Sequence, residues 1–275
     1  MSLGSARQRN ALRVTSCMAP NADGMCRALT RYLARSLAMR VEFVDDIPWQ
    51  EREQLFDAGA IDLCWICGLP YVHKADRAER IELCVAPVMQ GARYGGAPVY
   101  FSDVVVRRDS AFENFAGLEG VTWAYNEPRS HSGFNLVCYH LAAQGKTLAY
   151  FGRLVEAGAH QSALRLILSG EVAAAAIDST VLEAEMRLAP ALANELRTIA
   201  TLGPSPAPPW VFSKGVPAAL RAEVRACLRD MSRDAAGRAV LESWGISELR
   251  PVDDRAYDPI RAMARAAAAA APVAV

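Results

Sequence analysis

Several short segments of this 275-residue chain gather side chains able to hold an anion. The richest is Tyr125-Asn126-Glu127-Pro128-Arg129-Ser130-His131-Ser132-Gly133. It follows an apolar strand, is broken by Pro128 and sets Ser130, His131 and Ser132 where a helix begins. A helix start exposes free backbone N–H groups and the positive end of the helix dipole, and serine hydroxyls add donors, so a tetrahedral oxyanion fits there. Either serine could instead be a simple N-cap. His160, in Gly158-Ala159-His160-Gln161, also precedes a helical run, as a ligand contact or as an ordinary loop or capping histidine. Asp178 ends the apolar strand 173–177 and opens a helix at Ser179. That is a place for an N-cap and also, at the carboxyl end of a strand, for contact with a ligand in an open α/β sheet. Trp49, Trp65 and Tyr100 are large residues near element ends, which belong to the core unless two lobes close over them.

Other chemistries are set aside. Cys64-Trp65-Ile66-Cys67 has CxxC spacing, but Cys64 falls inside a predicted strand, whereas redox pairs act at a helix N-terminus. His73, His131, His140 and His160 are scattered, with no HxxxH and no second CxxC, so no metal site is expected. The chain has no GxGxxG, GxxxxGK[ST] or GxSxG motif, so no nucleotide cofactor or serine-hydrolase elbow is expected, and no catalytic residue is assigned.

The elements that must position these residues alternate between strand and helix. Strand 11–17 leads to a helix over 25–39, then strands 41–44 and 61–65, a mixed strand 81–87 and a long β-branched run 99–106. A second series follows: strand 121–125, helix 132–143, a helix around 162–168, strand 173–177, helix 179–186 and strand 196–200. The proline-rich stretch 203–209 breaks the pattern before strand 210–213 and helices 217–231 and 235–243. The alanine-rich tail 262–271 reads as frayed helix. At nearly twice the size of an average domain, the chain should form two α/β lobes with a cleft between them. The expected boundaries are 1–102 plus 207–275 for a discontinuous first lobe and 103–206 for the second, with hinges near 102–106 and 201–207.

Composition bounds the partners. Thirty Lys and Arg against thirty Asp and Glu, with a pI near 6.9, leave no basic surplus for nucleic acid or anionic membranes. The longest charge-free run, 198–213, carries four prolines, so no membrane insertion is expected. No signal-peptide pattern opens the sequence, and seven cysteines read as mostly reduced thiols. A periplasmic location then requires a signal peptide upstream of residue 1; otherwise the location is cytoplasmic.

Taken in order, the segments resemble the phosphate/phosphonate-binding family of ABC-transporter substrate-binding proteins. The resemblance rests on Ala58-Gly59-Ala60-Ile61-Asp62-Leu63-Cys64-Trp65 with Tyr71, on 100–110, on Pro128-Arg129-Ser130-His131-Ser132-Gly133, on Gly158-Ala159-His160 and on Gly170-Glu171 through Asp178-Ser179. It implies a two-lobed Venus-flytrap of the type II periplasmic-binding-protein kind, each lobe a mixed, mostly parallel sheet flanked by helices. Its ligand would be a small phosphonate- or phosphate-like oxyanion, handed to an ABC permease. By motif, Ser130, His131, Ser132 and His160 would hold the oxyanion, Trp49, Trp65 and Tyr100 would wall the cleft, and Asp178 would meet the ligand's other end, suited to a cationic amine. His131 departs from the family pattern, where Thr is usual, as does Cys67-Gly68 after Trp65. The rival reading is a cytoplasmic dehydratase-like enzyme or a sensor on the same fold, acting on a small organic acid, in which His131, His160 or Asp178 would move protons.

Overall fold

The computed structural model describes residues 11–77 and 81–268, with the backbone alone at Trp49 and Gln50. In chain order the first part holds β1 (Leu12–Ser16), α1 (Asp23–Ser36), β2 (Val41–Phe43), α2 (Trp49–Asp57), β3 (Leu63–Trp65), α3 (Gly68–Asp76) and β4 (Glu82–Met89). Then come β5 (Val99–Arg107), β6 (Thr122–Tyr125), a π-helical turn at His131–Asn135 running into α4 (Leu136–Ala142), β7 (Arg153–Glu156) and α5 (His160–Ser169). These are followed by β8 (Ala174–Asp178), α6 (Ser179–Leu188), α7 (Leu192–Glu195) and β9 (Leu196–Pro206). The last part is β10 (Trp210–Phe212), α8 (Ala218–Asp230), α9 (Ala235–Glu242), β11 (Ile246–Arg250) and α10 (Asp258–Ala267).

The strands form two sheets, ordered β11-β4-β10-β3-β1-β2 and β7-β6-β8-β5-β9. Each has a parallel trio, with β1 between β2 and β3 and β6 between β7 and β8. Antiparallel strands extend both, β10 and β11 in the first and β5 and β9 in the second. Parallel neighbours need a helical crossover, whereas strands beside the passages between sheets have none, so there the pairing turns antiparallel. Helices pack on the sheets through apolar stripes at helical spacing: Met25, Cys26, Leu29 and Leu33 of α1 are buried, as are Ala163, Leu164 and Ile167 of α5.

Residues 102–106, expected to form a crossing, instead pair with β8 and β9 inside the second sheet. Val104, Val105 and Val106 are fully buried, as the β-branched run of a central strand requires. The chain passes between sheets at 90–98 and again at 207–209. These passages lie side by side, with the Ala207 N–H donating to the Pro98 carbonyl at 2.8 Å. Of the four prolines expected to break the pattern, Pro204 and Pro206 sit within β9, an edge strand that tolerates proline, and Pro208 and Pro209 lie in the second passage. Helix α10 touches both lobes: Tyr257 just before it and Ile260 join the core cluster around Phe56, Ile61 and Val72, while Met263 and Ala267 pack on the cluster around Trp123 and Leu141. Gly68 makes room for this, because a Cβ there would run into Ile260. No described helix is long and apolar enough to cross a membrane.

Candidate functional site

The carboxyl ends of the parallel strands converge between the lobes, where open α/β sheets leave a crevice. Cys17, Met18 and Ala19 follow β1, Cys67 follows β3, Asn126 and Glu127 follow β6, and Asp178 ends β8. With Ser130, Ser132, Ala159, His160 and Val181 they line a cavity of about 440 Å³ that includes its open mouth.

The turn after β6 builds one wall of this cavity, the candidate anion cradle. Ser130 caps it, its Oγ accepting from the Gly133 N–H at 3.1 Å, and its carbonyl accepts from the Asn135 N–H at 3.0 Å. That second bond makes the first turn a π-turn, a local widening common where backbone groups are aimed at a ligand. Ser102 of β5 secures the loop from behind, donating to the Ser132 carbonyl at 2.8 Å. Ser132 Oγ lies 3.2 Å from His160 Nε2. Gly133 carries no Cβ because the Asn126 side-chain amide occupies that space, with His160 Cε1 close behind it.

Three buried polar atoms at this loop have no partner within the protein: Asn126 Oδ1, His160 Nδ1 and the Tyr100 hydroxyl. Burial, with Cys67 and Asp178 nearby, raises the pKa of the Tyr100 hydroxyl, against a lowering by the Ser132 side chain. Burial lowers the His160 pKa to about 4, so the ring is neutral near pH 7. Asp178 caps α6, its Oδ1 accepting from the Thr180 N–H at 2.8 Å and the Thr180 hydroxyl at 2.7 Å. Burial raises its carboxyl pKa to about 6 against the lowering by those bonds. Burial also raises the Glu127 pKa. No Lys or Arg lines the cavity among the described residues. An anion held here is therefore met by neutral dipoles with two carboxyl groups nearby.

The site residues expected from the sequence do not all meet there. Ser130, Ser132, His160 and Asp178 line the cavity, and Tyr100 stands beside it. The His131 ring lies behind the cradle with both nitrogens engaged: the Asn135 amide donates to Nδ1 at 3.0 Å, so Nε2 carries the proton and donates to Ser205 Oγ at 3.0 Å. Burial lowers its pKa to about 3. Only the backbone N–H of His131 turns toward the cleft, donating to Cys67 Sγ at 3.5 Å. Trp65 stacks on Trp210 at 5.6 Å and donates to the Pro208 carbonyl at 2.8 Å, walling an adjoining space instead. The side chain of Trp49, at the start of α2, lies outside the described part of the structure. Cys67 is no activated thiol, since burial pushes its pKa up to about 11. Asn126, Glu127, Cys17 and Ser102 were missed by sequence reasoning; of these, Asn126 and Glu127 carried a signal, lying in the segment that holds the serines.

Two lobes joined by paired passages, with a cavity at the ends of their parallel strands, define a substrate-binding protein of the type II periplasmic fold. Residues 21–257 match the family described as "ABC transporter, phosphonate, periplasmic substrate-binding protein", and the chain belongs to that family. It is 26% identical over 209 residues to the phosphonates-binding periplasmic protein of Escherichia coli, covering 74% of this chain and 60% of that relative's length. Among solved structures it is similar to a binding-protein component of an ABC phosphonate transporter from Pseudomonas aeruginosa, with a TM-score of 0.81, 18% identity, and 93% and 86% of the two chains covered. It is also similar to PhnD1 from Prochlorococcus marinus in complex with methylphosphonate, with a TM-score of 0.76, 18% identity, and 93% and 97% covered.

Proposed function

We propose that this chain captures a small phosphonate or related phosphorus oxyanion between its lobes and delivers it to an ABC permease, as a periplasmic binding component. The observation that carries this reading is the group of partnerless buried atoms at the cradle, Asn126 Oδ1, His160 Nδ1 and the Tyr100 hydroxyl. A buried polar group left unsatisfied costs about 1–3 kcal/mol. A ligand offering both oxyanion acceptors and a protonated donor would relieve all three. The Ser130 and Ser132 hydroxyls would meet the oxyanion together with free backbone N–H groups of the π-turn, Ser130 Oγ donating its proton while it accepts from the Gly133 N–H, and Asp178 would meet an amine at the ligand's other end. The passages at 90–98 and 207–209 would be the hinges. The names of the relatives point to the same ligand class.

Calorimetry with methylphosphonate, aminoethylphosphonate, phosphate, sulfate and acetate tests the reading, with binding expected for the phosphorus oxyanions. Replacing Ser130 and Ser132 together with Ala should then weaken binding at least about 100-fold, each hydrogen bond to a charged group being worth about 1.5–3 kcal/mol. Unchanged affinity in the double variant would remove the cradle from the reading.

The Ser132–His160 pair favours a second reading, an enzyme on this fold, because it has the reach of a nucleophile and base. A base also needs a group to orient it, and His160 Nδ1 has no partner within the protein. That supports binding over catalysis. Phosphorus NMR of bound ligands over many hours checks it, with unchanged spectra expected.

A further inference from the structure

We infer that the ligand carries an apolar substituent, an alkyl chain of several carbons or an aryl ring, which lies in a second cavity beside the cradle. This rests on the oxyanion reading above and deepens it. The second cavity, of about 410 Å³ with its mouth, shares Met18, Ala19 and Val181 with the first, so the two adjoin across these side chains at the start of α6. Beyond those shared residues its walls are Met25, Trp65, Met89, Trp244 and Ile246 of the first lobe, facing Ala184 of the second.

The chemistry changes sharply along this path. The cradle ends in polar atoms that lack partners, whereas the polar groups edging the second cavity are already engaged. The Asn21 amide donates to Glu185 Oε1 at 2.9 Å, the Thr180 hydroxyl to Asp178 Oδ1 at 2.7 Å and the Arg187 guanidinium to the Trp244 carbonyl at 3.0 Å. Nothing there asks for a polar ligand group, while Trp65, Trp244 and three methionines offer apolar surface. Methionine has no branch and several free torsions, so Met18, Met25 and Met89 can refit around substituents of different shape. Because the walls come from both lobes, an occupant would be enclosed only on closure, and its burial would add to the affinity.

The test is a calorimetric series of methyl-, propyl-, hexyl- and phenylphosphonate at fixed pH. Affinity should rise about three- to fourfold per added methylene until the cavity fills. In Ala184→Leu, which fills the cavity from α6, methylphosphonate should bind as before and the gain with chain length should vanish. In Trp244→Ala the preferred chain should lengthen. A flat or falling series with methylphosphonate still bound overturns the apolar annex and leaves the oxyanion reading standing. A gain that survives Ala184→Leu also overturns it. If no phosphonate binds, both readings fall.

Discussion

Asp178 is the side chain whose ionisation a ligand will feel most directly, since it is buried at the cavity wall with a pKa raised to about 6. Its proton is held more tightly folded than unfolded, so the native state loses stability as pH rises from the usual carboxylate range through about 6. Asp178→Asn keeps a capping side chain and removes that cost, so it should raise the melting temperature more at pH 8 than at pH 5. Binding should show opposite signs for two ligands. A plain alkylphosphonate should bind better below pH 6, where Asp178 is neutral, and aminoethylphosphonate better above it, where the carboxylate pairs with the ammonium. Asp178→Asn should erase the difference; calorimetry of both ligands across pH 5–8 in both proteins decides. Gly133→Ala is a sharper probe of the cradle. Its methyl would displace the Asn126 amide, so affinity should fall steeply while the melting temperature moves little. Much of this residue-level picture was readable beforehand, because Ser130, Ser132, His160 and Asp178 each stand where a strand or loop meets a helix. His131 was not, since no spacing rule says which of three consecutive residues in a π-turn faces the ligand. Cys17 and Ser102 come to the site through pairing between distant strands, and local pattern carries no trace of that.

At the scale of elements, the strand–helix alternation was plain in the hydrophobic periodicity, and β1, α1, β6 and β8 fall close to where it puts them. The crossings were harder to place. A β-branched run that changes lobe and one that fills the middle of a sheet look alike, so the end of this run, 102–106, reads as a hinge although it lies inside a sheet. The tail 262–271 likewise reads as frayed helix, yet 262–267 belong to α10, which bridges the lobes, while 269–271 lie outside the described residues. Ile260 is fully buried there, and Ile260→Ala should cost about 2–5 kcal/mol. Chemical denaturation measures that loss, and a cost below about 0.5 kcal/mol would mean that the helix merely rests on the surface.

At the scale of the whole molecule, the lobes meet across the cleft through polar contacts. Arg129 pairs with Glu53 at 2.6 Å, and Tyr94, on the passage at 90–98, donates to Glu183 of α6 at 2.7 Å. Asn21 and Arg187 add the bonds at the far end. Arg129 is largely exposed, and such a pair is worth only about 0–1 kcal/mol, so these contacts can hold a closed state without locking it. Small-angle scattering should therefore show a larger radius of gyration without ligand than with it. An unchanged radius would mean that the lobes are rigid.

The absence of Lys and Arg from the walls of the cradle also bears on how fast a ligand arrives. A charged funnel raises the capture rate of an oppositely charged solute, and that gain is lost as salt is added. Neutral hydroxyls, an uncharged imidazole and backbone dipoles act only at contact distance. Capture here should then proceed without electrostatic acceleration. Stopped-flow association rates should be no slower in concentrated salt than in dilute buffer, since salt screens no cationic funnel here and weakens the repulsion from Glu127 and Asp178, so the protein would collect its ligand at least as well in saline as in fresh surroundings.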